Sequence, residues 1–316
     1  MSLDDLLTAG ARFAPEYAGG LSNHLPMALL ALHSLGAADA RLAAFAAGYA
    51  PRLMPAHAAQ AWPAGDAWAA RFGDLPAWPA YRSLFGDWIA AEGAADVLSQ
   101  TLPMLMPGCG AAAFHGPIRV ASAVRAGHRG ELADALAYWA CRYLPRGALP
   151  DAPGRVLDPQ PLLRRLHAGR SRKRLIFERM QAAARSPALR TEVARLAIDA
   201  HTLERLARLS ATAYAGSGNF TALHLLTACH AMRVLQGFID ERLPALRWFW
   251  QAWASAVVAA GLKRLPPTPL LGWDRIVPAA LASDDEHRIK LVDSCRAEEQ
   301  AWGGDDWRRA ASRAVA

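Results

Sequence analysis

The stretch Ala113-Phe114-His115-Gly116-Pro117-Ile118-Arg119-Val120, running on through Ala121 and Val124 to Gly127-His128, decides how the rest of the chain is read. Proline is at home in the first turn of a helix, where its missing N–H has no intrahelical partner to lose, and the glycine before it serves as an N-cap. Ile118, Ala121 and Val124 then recur at helical spacing, while Arg119 and Arg125 fall outside that stripe. The segment therefore reads as an amphipathic helix packing inward, with His115 just outside its N-terminus. An imidazole held there either caps a loop, half-buried, or serves as a ligand or base.

The same pattern recurs along the chain. Ser22-Asn23-His24-Leu25-Pro26 forms a cap and first turn, followed by Met27, Leu30, Ala31 and Leu35 up to Gly36, so His24 also stands at a helix start. His33 lies nine residues on, about half a turn out of phase, and cannot share a ligand site with His24 on one straight helix. Helices are expected over 39–49, 81–91, 94–106 with a kink at Pro103, and 131–143. One long helix is expected over 189–214, with His201 near its apolar stripe and therefore core. Residues 51–79 are rich in proline, glycine and tryptophan, which predicts irregular structure around short turns, and 147–161 reads as an exposed excursion.

Asn219 then caps a helix carrying His224, Thr227 and His230. His224 and Thr227 share a face. His230 lies about 120° from His224, so it can line the same cavity without chelating the same ion. A last helix opens at Ser283-Asp284-Asp285-Glu286 and presents His287 and Lys290 as i,i+3 neighbours. The fold class that follows is all-α: a single compact multi-helix domain over 1–316, its helix ends converging on a central pocket.

Composition agrees. With 53% hydrophobic residues the chain has material for a large core. Cys109, Cys141, Cys229 and Cys295 are far apart and form no C-x-x-C pair, so they read as reduced and buried rather than as a zinc knuckle or redox dithiol. Acids in Met1-Ser2-Leu3-Asp4-Asp5 and the lack of an apolar run behind them argue against a secretory signal, so a cytoplasmic location is expected. The apolar run 248–262 is interrupted by Gln251 and Ser255 and reads as a buried helix; no membrane partner is expected. The net charge of +7 and the basic stretch 164–190, including Arg170-Ser171-Arg172-Lys173-Arg174, offer phosphate contacts but lack interleaved aromatics. A solvated face or an anionic cofactor explains them as well, and no nucleic-acid partner is expected.

Three segments, Leu21-Ser22-Asn23-His24-Leu25-Pro26-Met27-Ala28-Leu29, Phe114-His115-Gly116-Pro117-Ile118-Arg119 and Leu223-His224-Leu225-Leu226-Thr227, together resemble the questin oxidase-like family. Asp284-Asp285-Glu286-His287-Arg288-Ile289-Lys290-Leu291 resembles its C-terminal segment. The resemblance implies an oxygenase that oxidises or opens rings of anthraquinone-type polyketides with O2, with a Baeyer–Villiger-like outcome and NADPH as a candidate reductant. It also implies non-haem iron held by four histidines and a carboxylated lysine, which fall here on His24, His115, His224, His287 and Lys290. His230 and Thr227 then become groups on the substrate side, and the tryptophans apolar walls for a small aromatic substrate. The competing readings are a helical protein that sequesters a hydrophobic molecule and, behind it, a basic nucleic-acid-associated protein.

Overall fold

A computed structural model describes residues 1–149, 154–165, 173–262 and 265–316. Among these the chain forms sixteen α-helices and one two-stranded antiparallel sheet, Glu16–Tyr17 with Leu21–Ser22. Four helices matter most for the site: Leu25–Ser34, His115–Ala126, Phe220–Leu235 and Glu286–Trp302. They pack in a ring. The first touches the second and the fourth, and the third touches the second and the fourth.

Their composition explains that position. Every residue from Leu25 to Leu32 is buried, as is every residue from Thr221 to Met232. A helix apolar all round has no face for water and belongs inside. The remaining helices wrap this set, with Arg129–Cys141 against the His115–Ala126 helix and Asp306–Val315 against the Glu286–Trp302 helix.

Several expected helices form, including Asp39–Tyr49 and Ala94–Leu105 with Pro103 inside it. Residues 51–79 hold short 3-10 turns at Trp68–Arg71 and Leu75–Ala77. All four cysteines are buried and free. No helix among the described residues is long and apolar enough to cross a membrane.

Three local expectations are corrected. The stretch 189–214 is two helices, Pro187–Ala194 and Thr202–Ser217. Between them, the Arg195 carbonyl accepts from the Arg155 and Val156 amides and the Ala197 amide donates to the Val156 carbonyl, so a distant strand captures groups a helix would use. His201 consequently sits exposed at the start of the second helix rather than in the core. Gly116 is not a cap but the second residue of its helix; a Cβ there would meet Trp139 Cγ at 2.6 Å, so glycine permits the approach of the neighbouring helix. Arg119 does not face water either: it is buried and makes a two-pronged ion pair with Glu131, at 2.6 and 2.9 Å.

Of the basic stretch, Arg170, Ser171 and Arg172 lie outside the described residues, as do 150–153 of the expected excursion. Nearby described arginines are engaged: Arg195 with Glu192, Arg174 with the Gly19 carbonyl.

Candidate metal centre

Each of the four packed helices delivers one histidine. His24 is the residue before Leu25–Ser34, His115 the first residue of its helix, and His287 the second residue of Glu286–Trp302. His224 stands one turn into Phe220–Leu235, whose start is fixed by Asn219 accepting from the Thr221 and Ala222 amides. Asp285 caps the His287 helix in the same way, through the His287 and Arg288 amides.

The rings meet. Centroid separations are 4.7 Å for His24–His115, 4.6 Å for His24–His287, 5.1 Å for His115–His224 and 5.6 Å for His224–His287. His24, His224 and His287 each offer a nitrogen within 4.8 Å of the others, and the Nε2 atoms of His24 and His115 are 2.7 Å apart. His24, His115 and His224 are buried, whereas the His287 side chain keeps 17% of its surface.

Two carbonyls set the tautomers. A carbonyl only accepts, so His115 donates Nδ1–H to Ala112 (2.5 Å) and His224 donates Nδ1–H to Phe220 (2.8 Å). In the neutral rings this leaves both Nε2 lone pairs free for a cation, the arrangement that metal-binding histidines use. His24 then shares its Nε2 with His115 and is left with a buried Nδ1 lacking any partner. With the His24 and His115 Nε2 atoms facing each other and His24 Nδ1 buried without a partner, the arrangement fits a site built around a cation better than a finished hydrogen-bond network.

Charge tells the same story. Burial, reinforced by the neighbouring Lys290 charge, pushes His24 and His287 well below the ordinary imidazole value. Burial does the same to His115, followed by the His224 and Lys290 charges, and takes His224 down to about 4. Lys290 itself is buried, and burial brings its ammonium down to about 7 against the opposing pull of Glu286 and Asp285. Four neutral imidazoles and an amine close to neutrality make a cluster of bases.

His230 and Thr227 lie on the other side of Lys290. All three line a cavity of about 20 Å³, room for one water, together with Arg125, Asp293 and Ser294. Both nitrogens of His230 are occupied: Nδ1–H donates to Glu298 Oε1 (2.5 Å) and Nε2 accepts from Arg125 (3.2 Å). Arg125 also makes an ion pair with Asp293, and Glu298 holds Arg233. The Thr227 hydroxyl donates back to the carbonyls of Leu223 and His224.

The indoles are not brought to the histidines. Trp62 packs at a tilt on Tyr81, Trp68 meets Phe72, Phe85 and Trp88 edge to face, and Trp78 lines a separate cavity of about 580 Å³ with Met54, His57 and Leu75. None of the five candidate ligands lines that cavity.

Phe220, Arg125, Asp293 and Glu298 were not singled out in the sequence. Phe220 lies one turn before His224 and Asp293 lies three residues after Lys290, so helical spacing alone places both beside the cluster. Arg125 and Glu298 arrive by tertiary packing and carry no local signal.

An all-helical protein with four histidines and a buried lysine gathered on packed helices belongs, by fold and side-chain set, with helical proteins that build sites from facing helices. The profile of the questin oxidase-like family matches residues 21–295 of the 316, and the chain belongs to that family. The family name denotes oxidation chemistry, which makes this an oxidoreductase family. A comparison with curated proteins returned no match.

Proposed function

We propose that the chain is an iron-dependent oxygenase that oxidises or opens a flat aromatic or quinone-type ring with O2. The observation that carries this reading is the set of four imidazoles in contact, three of them buried, with an orphaned His24 nitrogen and the buried Lys290 beside them. His24, His115, His224 and His287 would hold the ion through ring nitrogens, and Lys290 through the oxygen of a carbamate. Imidazole suits iron, and the carbamate gives the hard oxygen that a carboxylate gives in the usual facial triad. Bound iron supplies the one-electron and oxygen chemistry that side chains lack.

Carbamate formation joins the neutral Nζ of Lys290 to the carbon of CO2 and releases one proton. Burial favours the amine that this step needs. The chain's own residues do the positioning. The Ala112 and Phe220 carbonyls hold two rings in the tautomer that leaves Nε2 free, and the apolar helices exclude water. Thr227 and His230 bound a space that admits a water-sized molecule beside Lys290, and Glu298 fixes His230 in place. NADPH is the reductant this reading calls on where a single oxygen atom is inserted.

Metal analysis by inductively coupled plasma mass spectrometry tests it, with His224→Ala, His287→Ala and Lys290→Arg alongside the wild type. Near-stoichiometric iron in the wild type, lost in both histidine variants and reduced in Lys290→Arg, is expected. Oxygen uptake with hydroxylated anthraquinones should follow iron content. A wild type that takes up no metal after anaerobic reconstitution would leave a helical protein that sequesters a hydrophobic molecule.

A further inference from the structure

One aromatic ring at the cluster is out of character. Phe220 is 51% exposed, although its ring packs edge-on against both His224 (centroids 4.7 Å) and His287 (4.6 Å). Its carbonyl already serves the site by accepting from His224. His287, the less buried of the four histidines, stands beside it, so Phe220 and His287 together form the outward face of the cluster.

The Asp285 and Glu286 carboxylates stand 3.8 and 3.5 Å from His287 Nδ1, and apolar side chains flank Phe220 from its own side. Asn219, next in the chain, donates to the Ala260 carbonyl, and Leu265 donates its amide to the Gly216 carbonyl. These bonds bring the exposed Leu262 and Leu265 to the same corner of the fold. The inner side offers no such space, because the cavity beside Lys290 has room for one water-sized molecule.

We infer that Phe220 is the stacking platform on which a planar, fused-ring substrate docks against the histidine cluster, entering from the Phe220–His287 face. The inference rests on the oxygenase reading for its substrate class. A half-exposed phenylalanine presents a ring that prefers offset or edge contacts with other rings, and Leu262 and Leu265 add exposed apolar surface at the same corner. The inner cavity is then left to the small co-reactant, so the two reactants reach the cluster by separate routes.

The test uses metal-reconstituted full-length protein and 1,8-dihydroxyanthraquinone as the probe, with binding read by quenching of tryptophan fluorescence and metal content measured on the same samples. Phe220→Leu should weaken binding about tenfold at unchanged metal content, and Phe220→Trp should bind within about threefold of wild type. Unchanged affinity in Phe220→Leu would overturn the platform. Loss of metal in Phe220→Leu would overturn it too, making Phe220 a prop for His224 and His287. A wild type that carries metal but ignores the probe would refute the substrate class and the platform with it. A wild type that takes up no metal on reconstitution yet binds the probe in a Phe220-dependent way would leave the platform standing and overturn the metal reading alone.

Discussion

Ala112, Ala113 and Phe114 hold φ of 46°, 55° and 68°, three successive side-chain-bearing residues in the left-handed region. Each such residue costs about 1–2 kcal/mol relative to an ordinary backbone. The surroundings hold them there: Phe114 is fully buried and rests on Phe249, and the Ala112 carbonyl takes the His115 Nδ1 proton. Strain of this kind persists where the structure needs a particular aim, here the direction of the His115 ring. Ala113→Gly removes the offending Cβ, so the metal-free protein should gain about 1 kcal/mol in urea unfolding. The same variant should bind iron more weakly, because a glycine loosens the arm that points His115. A variant no more stable than wild type would show that the turn stores no strain. Nothing in Ala111-Ala112-Ala113 announces this in the sequence; three alanines invite a helix, and the burial of Phe114 decides otherwise. The histidines were easier to read, since His24 and His115 each stand just before a proline in the first turn of a helix and His287 stands beside the Asp285 cap.

Among elements, caps were legible and breaks made by distant partners were not. Asn219 and Asp285 announce the helices that carry His224 and His287, and both accept the expected amides. Asn219→Ala should therefore cost about 1 kcal/mol of stability, a fall in urea midpoint at constant slope, and somewhat more if the lost bond to Ala260 is not replaced by water. Retention of full stability would mean that packing alone fixes that helix start. The division of 189–214, by contrast, depends on backbone from 155–156, and no local property of Ala197 or Ile198 reports it. Gly116 shows the same limit: glycine before proline suits a cap, yet its reason for being there is Trp139, on the following helix.

For the whole molecule, the histidine cluster ties stability to pH. The folded rings have values depressed below the ordinary 6.5, so the folded metal-free protein binds fewer protons than the unfolded chain between that value and the folded ones. Stability from this source is complete above about pH 6.5 and is lost as pH falls. His224 alone, held at about 4, should account for about 2 kcal/mol of loss by pH 5. Urea unfolding of the chelated protein at pH 7.5 and pH 5 checks this, with His224→Gln as the variant that should flatten the dependence. A pH-independent midpoint would rule out a neutral, buried cluster. The all-helical class was legible because capped, periodic segments run through most of the sequence. The ring of four helices was not, since which faces meet is a property of the assembled core.

The four imidazoles come from segments spread between residue 24 and residue 287, so most of the chain must be wound before all four are neighbours. Bringing such distant points together costs loop-closure entropy that grows slowly with length and is met by the core, not by the ion. On the proposed iron reading, an incoming cation would therefore meet a finished receptacle, with topology first and metal last. Because such a cation binds the folded chain in preference to the unfolded one, each tenfold rise in free metal above its dissociation constant adds about 1.4 kcal/mol to apparent stability. On that reading the melting temperature of this protein would be a gauge of the metal supply around it.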